Sequence, residues 1–495
     1  MKGKFVKWLI IIFCLLSISL QLYFRYELSL NRYFDSDEFA HLHWAYVFFN
    51  GEMPYRDFFY IFPPYFLLPV GLVLTILGRS AQAVVAVRGL MFIVQIAAYG
   101  VIFFWAKKLR STSLALLTLV IFMFLPLPSD KLLEIRPDLL ASLLAIAGLY
   151  LFVKAEGDKK PIFYFLSGFL LSASLAFVPK TIFFVIPVLA VILFRLQKKH
   201  LYFAGGFAVN LVTVAIFFLT SGKFWQAAYL TTKLAGDVTK TLGFKFYMRP
   251  DIFFYPNDTY YGMPGLSQTL IVNLCIYILG YLWGIKNFIS AFAYRDKNKA
   301  VREFLFSASF IVNLYAFVRI YPLKHLQYLI PVAPFVAFYF ADFVFTVLGK
   351  QRVRFLMFPV LGGLILYLTY LGFRMYEYKI PWNNKPTLEK VSGVLAAIPA
   401  GTSIFDLTGE TIFYPDGYYF CCLPYGQYEE DLNFRYPEIQ ADMERRGTKY
   451  VHTGKTDRLS VLPIIQAKYI RENYSLNLAN ADPKLRDLGI MVRMK

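Results

Sequence analysis

Charge is scarce in this chain: Asp, Glu, Lys and Arg make up 17% of its 495 residues, against 58% hydrophobic and 19% aromatic residues. No water-soluble fold needs so much apolar surface, so a soluble globular protein is excluded. Acid is scarcer than base, 32 carboxylates to 51 Lys and Arg, and the net charge of +19 raises the question of nucleic acid. The basic residues fall in short bursts between apolar runs, as in cytoplasmic loops facing anionic lipid, and nucleic-acid binding is discounted on that pattern. Cysteine is nearly missing. Cys14 and Cys275 lie in apolar runs, while Cys421 and Cys422 are adjacent and poorly placed to bridge each other, so no disulfide framework is expected. Internal repeats and low-complexity linkers are also lacking, which weighs against the repeated halves of many secondary transporters.

What the chain does have is long apolar runs. Runs able to cross a bilayer, which takes ~20 residues, are read at about 8–26, 83–105, 112–128, 138–153, 162–178, 181–195, 201–220, 267–285, 303–320, 326–347 and 354–373. The first has Lys2, Lys4 and Lys7 ahead of it and no convincing small-residue cleavage site, so it is expected to stay as a helix. A further segment, 61–77, decides the orientation of everything after it. If it does not cross, the basic bursts at 107–110, 154–160, 195–199, 286–302 and 350–354 join the amino-terminal lysines in the cytoplasm; if it crosses, they all fall outside. The first arrangement is expected, with 61–77 as a helix on the outer surface, opened by Pro63-Pro64.

The expected fold is an α-helical polytopic membrane protein of about eleven spans over residues 1–373, amino terminus inside and carboxyl terminus outside. The outer pieces are a long loop at 27–79, a short loop at 129–138, a Tyr-rich loop at 221–266 and residues 374–495. The last of these carries Pro381, Pro386 and charges throughout, and is expected as a small extracytoplasmic α/β domain with strands at 402–407 and 449–452 and a polar helix at 437–446.

The acids gather at one outer edge. Asp35-Ser36-Asp37-Glu38 follows the first span, and a carboxylate beside hydrocarbon is costly unless it faces water, protein or a pathway. Helical spacing puts Asp37, His41 and Trp44 on one face. His41 and His43 are two apart, a spacing that suits no helical ligand pair, and they read as interfacial residues before metal ligands. The segment 51–59 adds a turn with Tyr55, Arg56 and Asp57 and aromatic residues suited to the headgroup level. Cations edge the other outer pieces: Arg136, Lys180, Arg319 and Lys324. Each has a plain reading as a snorkelling side chain. Lys180 resists it, because an excess of base is not expected outside and almost no loop separates its flanking spans; a compact point charge there suits a phosphate.

At this point the pattern resembles a known family. A first span followed by Asp37-Glu38, then Pro54-Tyr55-Arg56-Asp57-Phe58-Phe59 and Pro63-Pro64, resembles the GT-C superfamily of membrane glycosyltransferases, in the branch of protein O-mannosyltransferases and lipid A aminoarabinose transferases. Pro179-Lys180 is similar to that branch's lysine-bearing junction, and Tyr328-Leu329-Ile330-Pro331-Val332-Ala333-Pro334 to its late Tyr-Leu-x-Pro-x-x-Pro segment. The resemblance implies a sugar donor carried on a polyprenyl monophosphate, an acceptor hydroxyl on protein, lipid or polysaccharide, and transfer at the outer face of a plasma membrane. Asp37 is then the expected general base of an inverting transfer, with Glu38 orienting the acceptor or the loop. Lys180, Arg136, Arg319, Lys324 and Arg56 are the expected donor-phosphate ligands. His41, Asp57 and Tyr55 are candidate contacts to acceptor or sugar. Where the branch often has a basic residue before the proline pair, this chain has Tyr60-Ile61-Phe62. No cofactor is favoured, but Asp35-Ser36-Asp37 also has the Asp-x-Asp spacing of metal-dependent transferases, so a divalent cation and a lipid-diphosphate donor stay open. A transporter predicts ionisable groups in the middle of spans, and few are seen.

Overall fold

The structure is a computed structural model and describes residues 2–242, 267–321, 325–350, 354–422, 432–453, 458–477 and 483–494. In hydrocarbon every backbone group must be satisfied within the chain, so long apolar runs become helices. A helix stands at each run read as a span. Seven of these are long and apolar enough to cross a membrane, including Ala81–Leu109, Pro137–Asp158, Lys297–Ile320 and Met357–Lys379; Thr112–Phe124, Pro161–Phe177, Pro179–Phe194 and Ala333–Leu348 are shorter. Below, α1 is Lys2–Asn31, α2 Ser36–Phe49, α3 Leu67–Leu77, α4 Ala81–Leu109 and α5 Thr112–Phe124.

The segment 61–77 is a 3-10 turn, Pro64–Phe66, that continues into α3, which packs under α2. The end of α4 is locked by charge: Arg110 pairs with Glu303 at 2.7 Å and Asp342 at 3.0 Å, and the Trp283 indole also donates to Asp342. These ends lie far from α2. Arg110 is thus neutralised by two carboxylates, which suits the need to keep unpaired charge out of lipid.

At the carboxyl end four short strands form one sheet in the order β1-β2-β4-β3, with β1 Ile404–Asp406, β2 Tyr450–His452, β3 Tyr474–Ser475 and β4 Ile490–Arg493. The β1–β2 pair is parallel and the others antiparallel. Both expected strands and the helix, Ile439–Arg445, are found; β3 and β4 lie where no strand was expected. Cys421 and Cys422 depart from expectation, since they are disulfide-bonded. A positive φ of 76° at Cys422 turns the chain there, and the Cys422 N–H donates to the Asp406 carbonyl at 3.2 Å.

This domain shares a core with the 34–79 segment, in which Phe39, Trp44, Phe59 and Tyr60 lie with Phe405, Tyr418, Phe420 and Cys422. His43 fastens the join. One ring nitrogen stands 2.8 Å from the Asp416 carboxylate and the other 3.1 Å from the Ile412 carbonyl. Burial opposes a charge on the ring, but Asp416 outweighs it and the pKa is pushed up to about 9. Because that value exceeds the ordinary one, the stabilisation is complete below the unfolded pKa of ~6.5 and is lost as pH rises through the folded one. Glu52, pushed up to about 7 by burial and by Asp416, contributes a loss of the same sign. The protein in detergent is expected to lose ~3 kcal/mol of stability to His43 as pH rises from 6.5 past 9. His43→Gln should flatten that slope; an unchanged slope in unfolding measurements across pH would remove His43 as its source.

Candidate functional site

The sequence Asp35-Ser36-Asp37-Glu38 folds into a helix start. Asp35 caps α2 by accepting the Asp37 N–H at 3.0 Å, and the Glu38 carboxylate reaches back to the Asp35 N–H at 3.0 Å, a capping box that fixes the first turn. Glu38 is 0% exposed. It pairs with Arg88 of α4 at 2.6 Å and also accepts the Ile135 N–H at 3.0 Å. Glu38 is therefore enclosed and ties the start of α2 to α4 and to residue 135.

The short segment 129–138 brings the cations. Glu134 is a buried hub that meets Arg32 at 2.7 Å, Lys131 at 2.9 Å and Arg136 at 2.5 Å. Lys131 also pairs with Asp35 at 2.9 Å, and Arg136 pairs with Asp37. Beside them Lys180 pairs with Asp138, in the first turn of Pro137–Asp158, and lies 4.1 Å from the centre of the Tyr328 ring. The Tyr321 hydroxyl donates to the Lys180 carbonyl at 3.3 Å, tying the Lys297–Ile320 helix to the same corner. Asp35, Asp37, Glu38, Glu134 and Asp138 thus meet Arg32, Arg88, Lys131, Arg136 and Lys180. The carboxylates and the cations are equal in number.

Within this set Asp37 stands apart. Its side chain is 26% exposed, whereas the other four carboxylates are nearly closed off. Burial raises the Asp37 pKa, but Arg136 and Lys131 outweigh it and hold the carboxyl below its usual range, so it is ionised at neutral pH. Asp35 is held low against burial by Lys131 and Arg136 in the same way. Lys180 is lowered by burial despite Asp138.

His41 faces the same corner from α2, caged by Trp44, Phe62 and Phe66 at ring distances of 5.7, 5.2 and 5.1 Å. Burial and then Arg136 push it down to about 4, and its Nδ1 is buried without a partner among the described residues. It is a neutral ring.

The other expected residues lie elsewhere. Tyr55 is buried at a φ of 69° and donates to the Phe62 carbonyl at 2.6 Å, which sets Phe62 against His41; its hydroxyl is committed to the fold. Arg56 and Asp57 pair with each other at 2.7 Å, and Asp57 accepts the Met53 N–H at 2.8 Å, so they close their own turn. That turn meets Arg446 of the carboxyl-terminal domain at the Asp57 carbonyl, 2.5 Å away. Arg319 is exposed and has no ion pair among the described residues, and Lys324 lies outside the described residues. Residues the sequence reading did not single out as site residues are Lys131, Glu134, Asp138, Arg88 and Tyr328. The polar density of 129–138 between two apolar runs was the available signal for the first three.

A divalent ion needs carboxylate oxygens that face it; both Asp35 oxygens and one of Asp37 face Lys131, Arg136 and the Asp37 N–H instead. Among the described residues one other group has ligand atoms close together, His43 with Cys421 and Cys422, within 4.8 Å. Both nitrogens of that ring are taken and the two sulfurs are bonded to each other, so this group does not fit a metal as arranged.

No protein-family model matches the sequence, and no curated protein is similar to it. Solved structures do share its fold. The Archaeoglobus fulgidus oligosaccharyltransferase in the apo form is similar with a TM-score of 0.52 and 10% identity, over 89% of this chain and 69% of that one. ArnT from Cupriavidus metallidurans bound to undecaprenyl phosphate gives 0.52 and 13%, over 82% and 85%. The archaeal oligosaccharyltransferase in complex with zinc and sulfate gives 0.52 and 12%, over 94% and 71%. The expected architecture, a helical membrane bundle with a small carboxyl-terminal α/β domain, is therefore the fold of this chain, and it is shared with these structures.

Proposed function

We propose that this protein transfers a sugar from a polyprenyl-phosphate carrier to an acceptor hydroxyl at the outer face of a plasma membrane, with residues 1–373 as the catalytic part and 374–495 as a domain on that face. The observation that carries the reading is the partly exposed, ionised Asp37 beside Arg136, Lys131 and Lys180. An oxygen on the acceptor loses its proton to the Asp37 carboxylate as it attacks the anomeric carbon. The bond from that carbon to the phosphate oxygen breaks on the opposite face, which inverts the centre. Charge developing on the departing polyprenyl phosphate is taken up by Arg136 and Lys180. A membrane bundle with undecaprenyl phosphate bound in a protein of like fold supports this donor class.

Neither Arg136 nor Lys180 is unclaimed. Arg136 is held by Asp37 and Glu134, and Lys180 by Asp138, so donor binding must exchange phosphate for carboxylate. Lys180→Gln is expected to raise the donor KM by about 10–100-fold, the worth of one charge-assisted hydrogen bond. A KM within twofold of wild type would take Lys180 out of the donor site.

The test of the reaction is incubation of purified protein with a labelled polyprenyl-phosphate sugar and membrane extract, with and without EDTA. Label is expected to move to the extract in both. Loss of transfer on chelation, restored by a divalent ion, would instead make Asp35 and Asp37 metal ligands and the donor a lipid diphosphate.

A further inference from the structure

We infer that the cleft between α1 and the Met357–Lys379 helix binds the phosphate of a membrane lipid, with Arg25 as its ligand. The two helices run parallel: Phe13 meets Phe358 at 6.0 Å, Ser17 shares a 2.6 Å hydrogen bond with Thr369, and Phe24 stacks on Tyr376 at 4.8 Å. Near their ends, on the side of the acid cluster, they part around a cleft lined by Gln21, Arg25, Met123, Ser129, Gly372 and Lys379.

Arg25 is 5% exposed and donates to the carbonyls of Ser129, at 3.3 Å, and Met123. Among the described residues no carboxylate pairs with it. That sets it apart from Arg32, Arg88, Lys131, Arg136 and Lys180, each of which has one. A buried guanidinium in a span calls for a counter-anion, and its planar fork suits phosphate oxygens.

The depth of the cleft says where that anion comes from. Tyr23, Tyr26, Tyr370 and Trp382 are exposed around it, as in an aromatic belt, and the exposed Arg374–Glu377 pair at 3.1 Å lies at the same level. Exposed Trp8 stands roughly 25 Å back along α1 at ~1.5 Å per residue, close to the ~30 Å of a hydrocarbon core. Arg25 therefore sits at headgroup depth on a lipid-facing cleft. A phospholipid and a polyprenyl phosphate both present the required group there. The inference is independent of the transferase reading, because Arg25 lies behind the 129–138 segment and belongs to none of the pairs around Asp37.

Native mass spectrometry of the full chain in detergent, offered phosphatidylglycerol, undecaprenyl phosphate or diacylglycerol, tests it. Arg25→Gln removes the ligand. Gly372→Leu fills the cleft and leaves Arg25 in place, since a Cβ at Gly372 would lie 3.7 Å from the Gln21 Oε1. Wild type is expected to retain a phosphate lipid at least about tenfold more than diacylglycerol, and both variants to lose that preference. Equal retention of both phosphate lipids assigns the site to the headgroup alone, and preference for undecaprenyl phosphate assigns it to the carrier. Reading the difference between wild type and Gly372→Leu excludes adducts at the acid cluster. Wild type retaining diacylglycerol equally well, or Gly372→Leu retaining the phosphate lipids like wild type, would overturn the inference. Arg25 would then be a cap on the Met123 carbonyl at the end of α5 and on the Ser129 carbonyl after it.

Discussion

Replacing Asp37 with asparagine is expected to lower kcat by about 10²–10⁴-fold, the usual contribution of a positioned general base, while the protein still folds. The fold should hold because Arg136 keeps Glu134 at 2.5 Å and Asp35 at 3.5 Å when Asp37 is lost, so no buried cation is stranded. The pH profile adds a second, sharper expectation. In the free protein Asp37 is held below the usual carboxylate range by Arg136 and Lys131 against burial. The acid limb of kcat/KM should therefore lie below the usual carboxylate range, since that profile reports the free enzyme. Once the donor phosphate takes Arg136, Asp37 loses the partner that held it low, and the acid limb of kcat should move up. Donor binding would then turn a weak base into a stronger one. Turnover by Asp37→Asn at the wild-type rate would end the assignment, and coincident acid limbs would remove the exchange of phosphate for carboxylate.

How far the sequence foretold this site depends on the range over which each pair acts. Helices were legible because a bilayer forces them, and the acid and cation edges were legible because charge beside hydrocarbon needs a reason. Asp37 and Arg136 form a pair, and Lys180 pairs with Asp138 two positions after Arg136. The partners that give them meaning were not legible. Arg88 meets Glu38 across 50 positions and Lys131 meets Asp35 across 96, and no local pattern specifies such pairs. His43 looked like an interfacial residue, yet its partner Asp416 lies 373 positions away in a domain that had looked separate. Arg56 shows the opposite range: its partner is the adjacent Asp57, and the pair closes its own turn.

Arg88→Met is expected to destabilise the protein by about 3–5 kcal/mol, the usual cost of stranding one member of a buried ion pair. The residue is 1% exposed, and it donates to the carbonyls of Arg32 at 2.6 Å and Tyr33 at 2.7 Å besides pairing with Glu38. Its removal leaves the Glu38 carboxylate fully buried with only the Asp35 and Ile135 N–H groups as donors. Those groups sit at the first turn of α2 and beside Arg136, so loosening them moves Asp37 relative to its cations. Glu38→Gln in the same background should recover part of the loss, because a neutral amide tolerates that burial better than an unpaired charge does. The double variant then separates two roles for Glu38. A positioning residue predicts that activity and unfolding midpoint recover together when the charge is neutralised. Recovery of stability with activity still absent would mean that Glu38 itself touches the reacting groups, against the enclosed geometry found for it.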